Sequence, residues 1–143
     1  MNKVRPCWDE VWMRVAMTIA ERSVDPKHKV GAIVVSYDNT QVLALGYNGN
    51  YKGGPNTVES SSPGESGLLH AEINALLKMD YNTPKKKKMY VTLSPCRMCA
   101  KAIVNAGIDE VIYLENYRDE SGLEILDVAK IINRQFMFSE NHI

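Results

Sequence analysis

The sequence predicts an α/β fold, with a mixed sheet of about five strands and helices on both faces in a three-layer α/β/α arrangement. Three observations carry this reading. Two β-rich runs, 30–37 and 41–47, flank the turn pair Asp38-Asn39 and read as an antiparallel hairpin. From residue 70 onward, strand-like and helix-like runs alternate, which implies parallel pairing through right-handed crossovers. A chain of 143 residues, 45% hydrophobic, suits one domain over 1–143 with a single core, and shows no internal repeat or dividing linker.

Trp8 to Arg22 reads as an amphipathic helix, because Val11, Trp12, Val15 and Ile19 recur at helical spacing. Ser23-Val24-Asp25-Pro26 stops it. Val30 to Tyr37 fits a buried strand, and Gln41 to Tyr47 its hairpin partner. Asn48 to Leu68 is rich in Gly, Asn, Ser and Pro. A loop of that length inside a compact domain is functional or disordered, and because it ends at His70 it reads as the wall of a site. His70 to Met79 is a helix, Lys88 to Leu93 a strand, and Cys96 to Ala106 a helix stopped by Gly107. Glu110 to Leu114 is a strand, Glu120 to Asn133 a helix, and Gln135 to Phe138 a last short strand.

Charge and composition exclude several classes. There are 17 basic and 17 acidic residues, so nothing calls for a polynucleotide partner, which a basic excess would mark. The one basic run, Lys85-Lys86-Lys87-Lys88, reads as a solvated loop after Pro84. No stretch reaches the roughly 18 apolar residues of a membrane span, and the start of the chain lacks the apolar core of a signal peptide. Three cysteines, Cys7, Cys96 and Cys99, are too few and too odd for a disulfide framework. The expected setting is a reducing cytoplasm, a host's if the chain is viral.

The chemistry is concentrated in His70-Ala71-Glu72 and Pro95-Cys96-Arg97-Met98-Cys99. Neither half says much alone: His-x-Glu is common, and a lone Cys-x-x-Cys also fits a redox pair. Together they supply three good zinc ligands and a carboxylate that need not be one. Both segments open helices, where the positive helix end favours thiolate over thiol. Cys96 and Cys99 are spaced i, i+3 and share a face. His70 and Glu72 differ by roughly 200° on a helix, so they converge only if the metal lies off the helix end. Three ligands leave a fourth position for water, and Glu72 is its base. A closed structural zinc needs a fourth ligand, and the spare candidates Cys7, His28 and His142 lack ligand spacing. The paired motifs are the signature of zinc nucleobase deaminases. In that chemistry one zinc lowers the pKa of a bound water to around 7, and Glu72 moves the protons. Backbone N–H groups near Cys96 and the carbonyls of Ala71 and Ser94 are candidate contacts for the base edge.

The surrounding segments narrow the reading. They are Arg22-Ser23-Val24-Asp25-Pro26, Val30-Gly31-Ala32, Gly46-Tyr47-Asn48-Gly49, Met89 to Cys96, Cys99-Ala100-Lys101 and Ala106-Gly107-Ile108. With the metal motifs, and in this order, they resemble the deoxycytidylate (dCMP) deaminases of the zinc-dependent cytidine/deoxycytidylate deaminase superfamily, viral or eukaryotic type. The resemblance implies a cytidine deaminase-like fold and hydrolysis of dCMP to dUMP, which feeds thymidylate synthesis. It also implies a homohexamer activated by dCTP and inhibited by dTTP, with Mg²⁺ accompanying the triphosphate.

By position, the resemblance assigns Asn48 to the sugar hydroxyl, Ser23 and Lys29 to the substrate phosphate, and Tyr117 to the segment closing over the nucleotide. Gly46, Tyr47, Asn48 and Gly49 fall to the effector. Plainer readings stand beside these: Asn48 as a turn cap, Ser23 as a helix end, Tyr117 as packing. The chain departs from some members in one respect: residues 50–69 contain no Cys or His for a second, structural zinc. The rivals are an enzyme acting on both dCMP and dCTP, a tRNA adenosine deaminase, and a zinc-stabilised binding module without activity. Free cytidine deaminases carry Cys where His70 stands, and the guanine and riboflavin-pathway deaminases lack the Gly-Tyr-Asn-Gly context.

Overall fold

The computed structural model describes residues 5–138. The chain runs α1 (Trp8–Ala20), β1 (Gly31–Ser36), β2 (Val42–Tyr47), α2 (Ala71–Lys78), β3 (Lys87–Leu93), α3 (Arg97–Asn105), β4 (Glu110–Glu115), α4 (Ser121–Val128) and β5 (Ile132–Gln135). The five strands form one sheet in the order β2-β1-β3-β4-β5. β1 pairs antiparallel with both β2 and β3, while β4 runs parallel to β3 and to β5. This is the mixed five-stranded sheet the alternation predicts.

Strand burial follows from position in the sheet. Every residue of the inner strand β1 is buried, whereas the edge strand β2 alternates between buried and partly exposed positions. Alternate side chains of the inner strands enter two cores. Ile33, Val35, Tyr90 and Ile112 meet Met13 and Ala16 of α1 on one face. Ala32, Val34, Met89, Val91 and Val111 meet Ala71 and Ala75 of α2, Ile103 of α3 and Leu126 of α4 on the other. Burying each larger aliphatic side chain stabilises the fold by roughly 1.5–3 kcal/mol. Gly46 lets α2 lie directly on β2: a Cβ there would sit 2.6 Å from the Ala75 nitrogen and 2.9 Å from the Ala71 carbonyl oxygen.

Two expectations are corrected. The last helix ends at Val128 rather than Asn133, and the last strand is Ile132–Gln135 rather than 135–138. Lys130 turns the chain with a left-handed φ of 62°, and Ile131 N donates to the Leu126 carbonyl. The basic run is a solvated loop only in its first half: Lys85 and Lys86 are exposed ahead of the strand, whereas Lys87 and Lys88 open β3 and are buried. Lys87 Nζ donates to the Lys85 carbonyl at 3.0 Å, and the Lys86 and Lys88 ammonium groups lie over the Tyr37 ring.

Beside them, Arg134 pairs with Asp9 at 2.7 Å and Glu110 at 2.8 Å, and Tyr90 and Tyr37 donate to the same two carboxylates. This network ties the first turn of α1 to the N-terminal end of the parallel strands. Among the described residues, no helix is long and apolar enough to cross a membrane.

Candidate active site

The site lies at the opposite end of the sheet, where β3 ends and α2 and α3 begin, the usual place for a site in an open α/β sheet. His70 and Cys96 are not inside their helices. Each is the residue just before the first turn, with extended backbone at φ −67°, ψ 152° and φ −70°, ψ 171°. This is how residues two apart converge: His70 leaves the chain before helical rotation begins, and Glu72 points back from the first turn.

His70 Nδ1 lies 3.2 Å from Cys99 Sγ and 3.4 Å from Cys96 Sγ. The three donor atoms all fall within 4.8 Å of one another. A mixed set of one imidazole and two sulfurs suits zinc, and three donors leave a position open. No fourth ligand joins this group among the described residues. Cys7 is exposed at the start of α1, and His28 stands in the cavity wall outside the cluster. His142 lies outside the described residues.

Electrostatics fit a metal centre with a proton carrier beside it. Cys96 is drawn down to about 4, chiefly by the hydrogen bond from the Cys99 thiol, with help from the Cys99 backbone N–H and His70. The Cys99 thiol, holding that thiolate, is pushed up. His70 is raised by the Cys96 sulfur it faces. Glu72 is 4% exposed, and burial pushes its carboxyl up to about 7. Among the described residues, its carboxylate accepts from its own backbone N–H alone. A buried carboxyl without another hydrogen-bonding partner costs stability and is expected where chemistry uses it.

These groups open into a cavity of about 630 Å³. Of the expected substrate contacts, Asn48, Ala71, Ser94 and Tyr117 line it, and Ser23 and Lys29 do not. Ser23 is buried with its hydroxyl accepting from Asp25 N, and Lys29 Nζ donates to the Ser23 carbonyl at 2.6 Å. Asn48 is held on both sides, accepting from Val30 N at 2.8 Å and donating to the His28 carbonyl at 2.7 Å. Ser94 accepts from Tyr117 N at 2.6 Å, so the loop after β4 is fastened to the cysteine loop. Gly46 and Tyr47 belong to β2, and Gly49 pairs with Leu69 at the base of the long loop.

Sequence reasoning missed Lys27, His28 and Arg118 as wall residues, all three exposed. The signal available for Lys27 and His28 was Asp25-Pro26, a turn that directs the next two residues. Asp25 Oδ1 accepts from both their backbone N–H groups. The loop expected to wall the site does so through Val58, Ser60 to Gly64, Ser66 and Leu68.

Layered helices around a mixed sheet, with a His/Cys/Cys cluster and a buried glutamate at the strand ends, define a zinc-deaminase type of site. Residues 6–115 match the model of the cytidine and deoxycytidylate deaminase zinc-binding region, and the chain belongs to that family. It is 34% identical to the deoxycytidylate deaminase of Pongo abelii, over 91% of this chain and 80% of that protein. It is 36% identical to the Saccharomyces cerevisiae enzyme of the same name, over 96% of this chain but only 47% of the longer yeast protein. The crystal structure of the dCMP deaminase from cyanophage S-TIM5, in complex with dCMP and dUMP, superposes with a TM-score of 0.81. That match has 33% identity and covers 93% of this chain and 99% of the phage chain. The fold expected from the sequence is thus the fold of a solved dCMP deaminase.

Proposed function

We propose that the chain hydrolyses dCMP to dUMP and ammonia. The observation that carries this is Glu72, buried beside three zinc-type donors and, among the described residues, without a side-chain hydrogen-bond partner. The named relatives and the cavity volume, within the range that encloses a small ligand, support it.

His70, Cys96 and Cys99 would hold zinc, which when bound would supply Lewis-acid polarisation and a water whose pKa is lowered to about 7. Glu72 takes a proton from the attacking water and passes it to the ring nitrogen N3 as oxygen bonds to C4. It then carries the proton of the new C4 hydroxyl to the exocyclic amine, the C4–N bond breaks as the C4 carbonyl forms, and ammonia leaves. One carboxyl group serves as base and then acid. The Ala71 and Ser94 carbonyls and the backbone N–H groups near Cys96 meet the base edge. Asn48, fixed against 28–30, offers its spare valences to the sugar hydroxyl, and Tyr117 packs over the nucleotide. We place the phosphate against Lys27, His28 and Arg118 at the cavity wall, with Ser23 and Lys29 behind them holding the 23–30 segment in shape.

The same reading extends to supply of dUMP for thymidylate synthesis, activation by dCTP with Mg²⁺, and inhibition by dTTP at the Gly46–Gly49 turn. It extends further to a homohexamer in the cytoplasm, a host's if the chain is viral.

The test is ammonia release from dCMP, dCTP, deoxycytidine and a tRNA anticodon stem-loop in parallel, with and without dCTP as effector. Turnover of dCMP is expected. Activity on the tRNA alone would overturn the reading.

A further inference from the structure

The 58–66 wall of the cavity is attached to the rest of the chain at few points. Its base is the bridge between Gly49 and Leu69. Within it, Glu59 N donates to the Ser66 carbonyl at 2.7 Å and Glu65 N to the Ser62 carbonyl at 3.1 Å. Gly67, at φ +76°, lies under the Glu59 carboxyl, where a Cβ would be 2.2 Å from the carboxyl carbon. The segment therefore has a built shape. Among the described residues, one hydrogen bond joins 51–66 to anything beyond its own base: Lys27 Nζ donates to the Ser61 carbonyl at 2.8 Å. Lys27 and Ser61 both line the cavity.

The backbone at Lys27 is fixed by Asp25, whose Oδ1 accepts its N–H at 2.8 Å. The flexible part is thus the side chain alone. An ammonium has three donors, and Ser61 uses one. The other two are available to an anion inside the cavity.

We propose that Lys27 is a specificity-determining residue that straps the 58–66 wall over a single mononucleotide, and that the substrate's phosphate completes the ammonium's hydrogen bonds. The strap joins two walls that are distant in sequence. It fixes the wall on the side of the cavity where the phosphate is placed. This rests on the nucleotide reading above, but its structural half does not depend on any turnover.

The experiment compares Lys27→Met and Lys27→Arg with the unaltered protein. Lys27 is exposed, so neither change threatens folding. Hydrogen exchange over 58–66 is read first, without substrate. Lys27→Met should speed exchange of the Glu59 and Glu65 amides at least about tenfold, the effect of losing roughly 1.4 kcal/mol of local stability, and Lys27→Arg should restore most of the protection.

Kinetics are read second, on dCMP, on deoxycytidine and on a cytosine dinucleotide as a size probe. Lys27→Met should lower kcat/KM for deoxycytidine several-fold through the loosened wall. The loss on dCMP should be larger, mostly in KM, and the dinucleotide should gain relative to dCMP. Unchanged exchange overturns the strap, and unchanged deoxycytidine turnover overturns its part in shaping the site. If the unaltered protein turns over none of these compounds, the nucleotide reading fails while the exchange result still decides the strap.

Discussion

A Cβ placed on Gly122 would fall 2.0 Å from the carbonyl oxygen of Pro95 and 2.9 Å from the carbonyl of Cys96. The first turn of α4 thus presses on the backbone that presents the first cysteine ligand. Gly122→Ala must push that loop into the site, at an overpacking cost of about 1–3 kcal/mol. We expect lower thermal stability and weaker zinc retention against a chelator. A variant with unchanged Tm and zinc affinity would mean the contact is slack.

Glu72→Gln keeps the shape of the side chain and removes its charge. Deamination should fall by about 10²–10⁴-fold or more, the usual worth of a general acid–base group, with zinc content unchanged at about one per chain. Loss of zinc together with activity would make Glu72 a ligand instead.

The pH behaviour of Glu72 has a definite sign. Burial raises its carboxyl to about 7 in the metal-free protein, so it is neutral below that pH and ionised above. A divalent cation beside it favours the ionised form, so zinc loading must lower the value. Carboxyl carbon chemical shifts in labelled protein should show a titration near neutrality that moves to lower pH when zinc is added. The acid limb of kcat/KM should follow the zinc-loaded value, because Glu72 must be ionised to act as base. A titration that zinc leaves in place would separate Glu72 from the metal.

Ser94→Ala removes the acceptor for Tyr117 N and leaves a half-buried donor unmet, at about 1 kcal/mol. The loop carrying Tyr117 and Arg118 should loosen while the zinc ligands stay in place. KM for dCMP should rise several-fold with little change in zinc content. The reverse pattern, with zinc lost and KM steady, would reassign Ser94 to the metal loop alone.

The Asp9 network makes stability depend on acid. Burial opposes the Asp9 charge, but hydrogen bonds from Arg134 and Tyr90 outweigh it and hold the carboxyl below 3.8. A carboxyl depressed in the folded state stabilises above its unfolded pKa, and that contribution drains away as pH falls through the folded value. Asp9→Asn should cost about 1–2 kcal/mol at neutral pH, since Arg134 is partly solvated. In urea melts the gap from the unaltered protein should shrink below about pH 4. A gap constant with pH would exclude the charge as its source.

The ligands and the base could be read from the sequence because they lie in two short segments whose spacing states their geometry. The strand alternation likewise gave the sheet, since helix and strand periods differ. The end of α4 could not be read: Ile131 and Ile132 continue the apolar rhythm of Leu123 and Leu126, and the chain turns at Lys130 with no glycine to announce it. The second half of the lysine run misled because charge was taken as exposure, whereas Lys87 and Lys88 open β3 and are buried. Ser94 with Tyr117, and Lys27 with Ser61, are pairings across the fold, 23 and 34 residues apart, that no local pattern encodes. Ser23 and Lys29 are close to the site in sequence, yet their polar groups are turned to each other's segment.

The strand order has a consequence for how the chain is made. β1 emerges early and can pair at once with β2, but its other neighbour is β3, some fifty residues later. Until β3 arrives, an apolar strand stands with one edge bare, an open template for another nascent chain. His70 is synthesised during that interval and both cysteines after it. Capture of a metal by all three must therefore wait until β3, the strand that seals this edge, has been made.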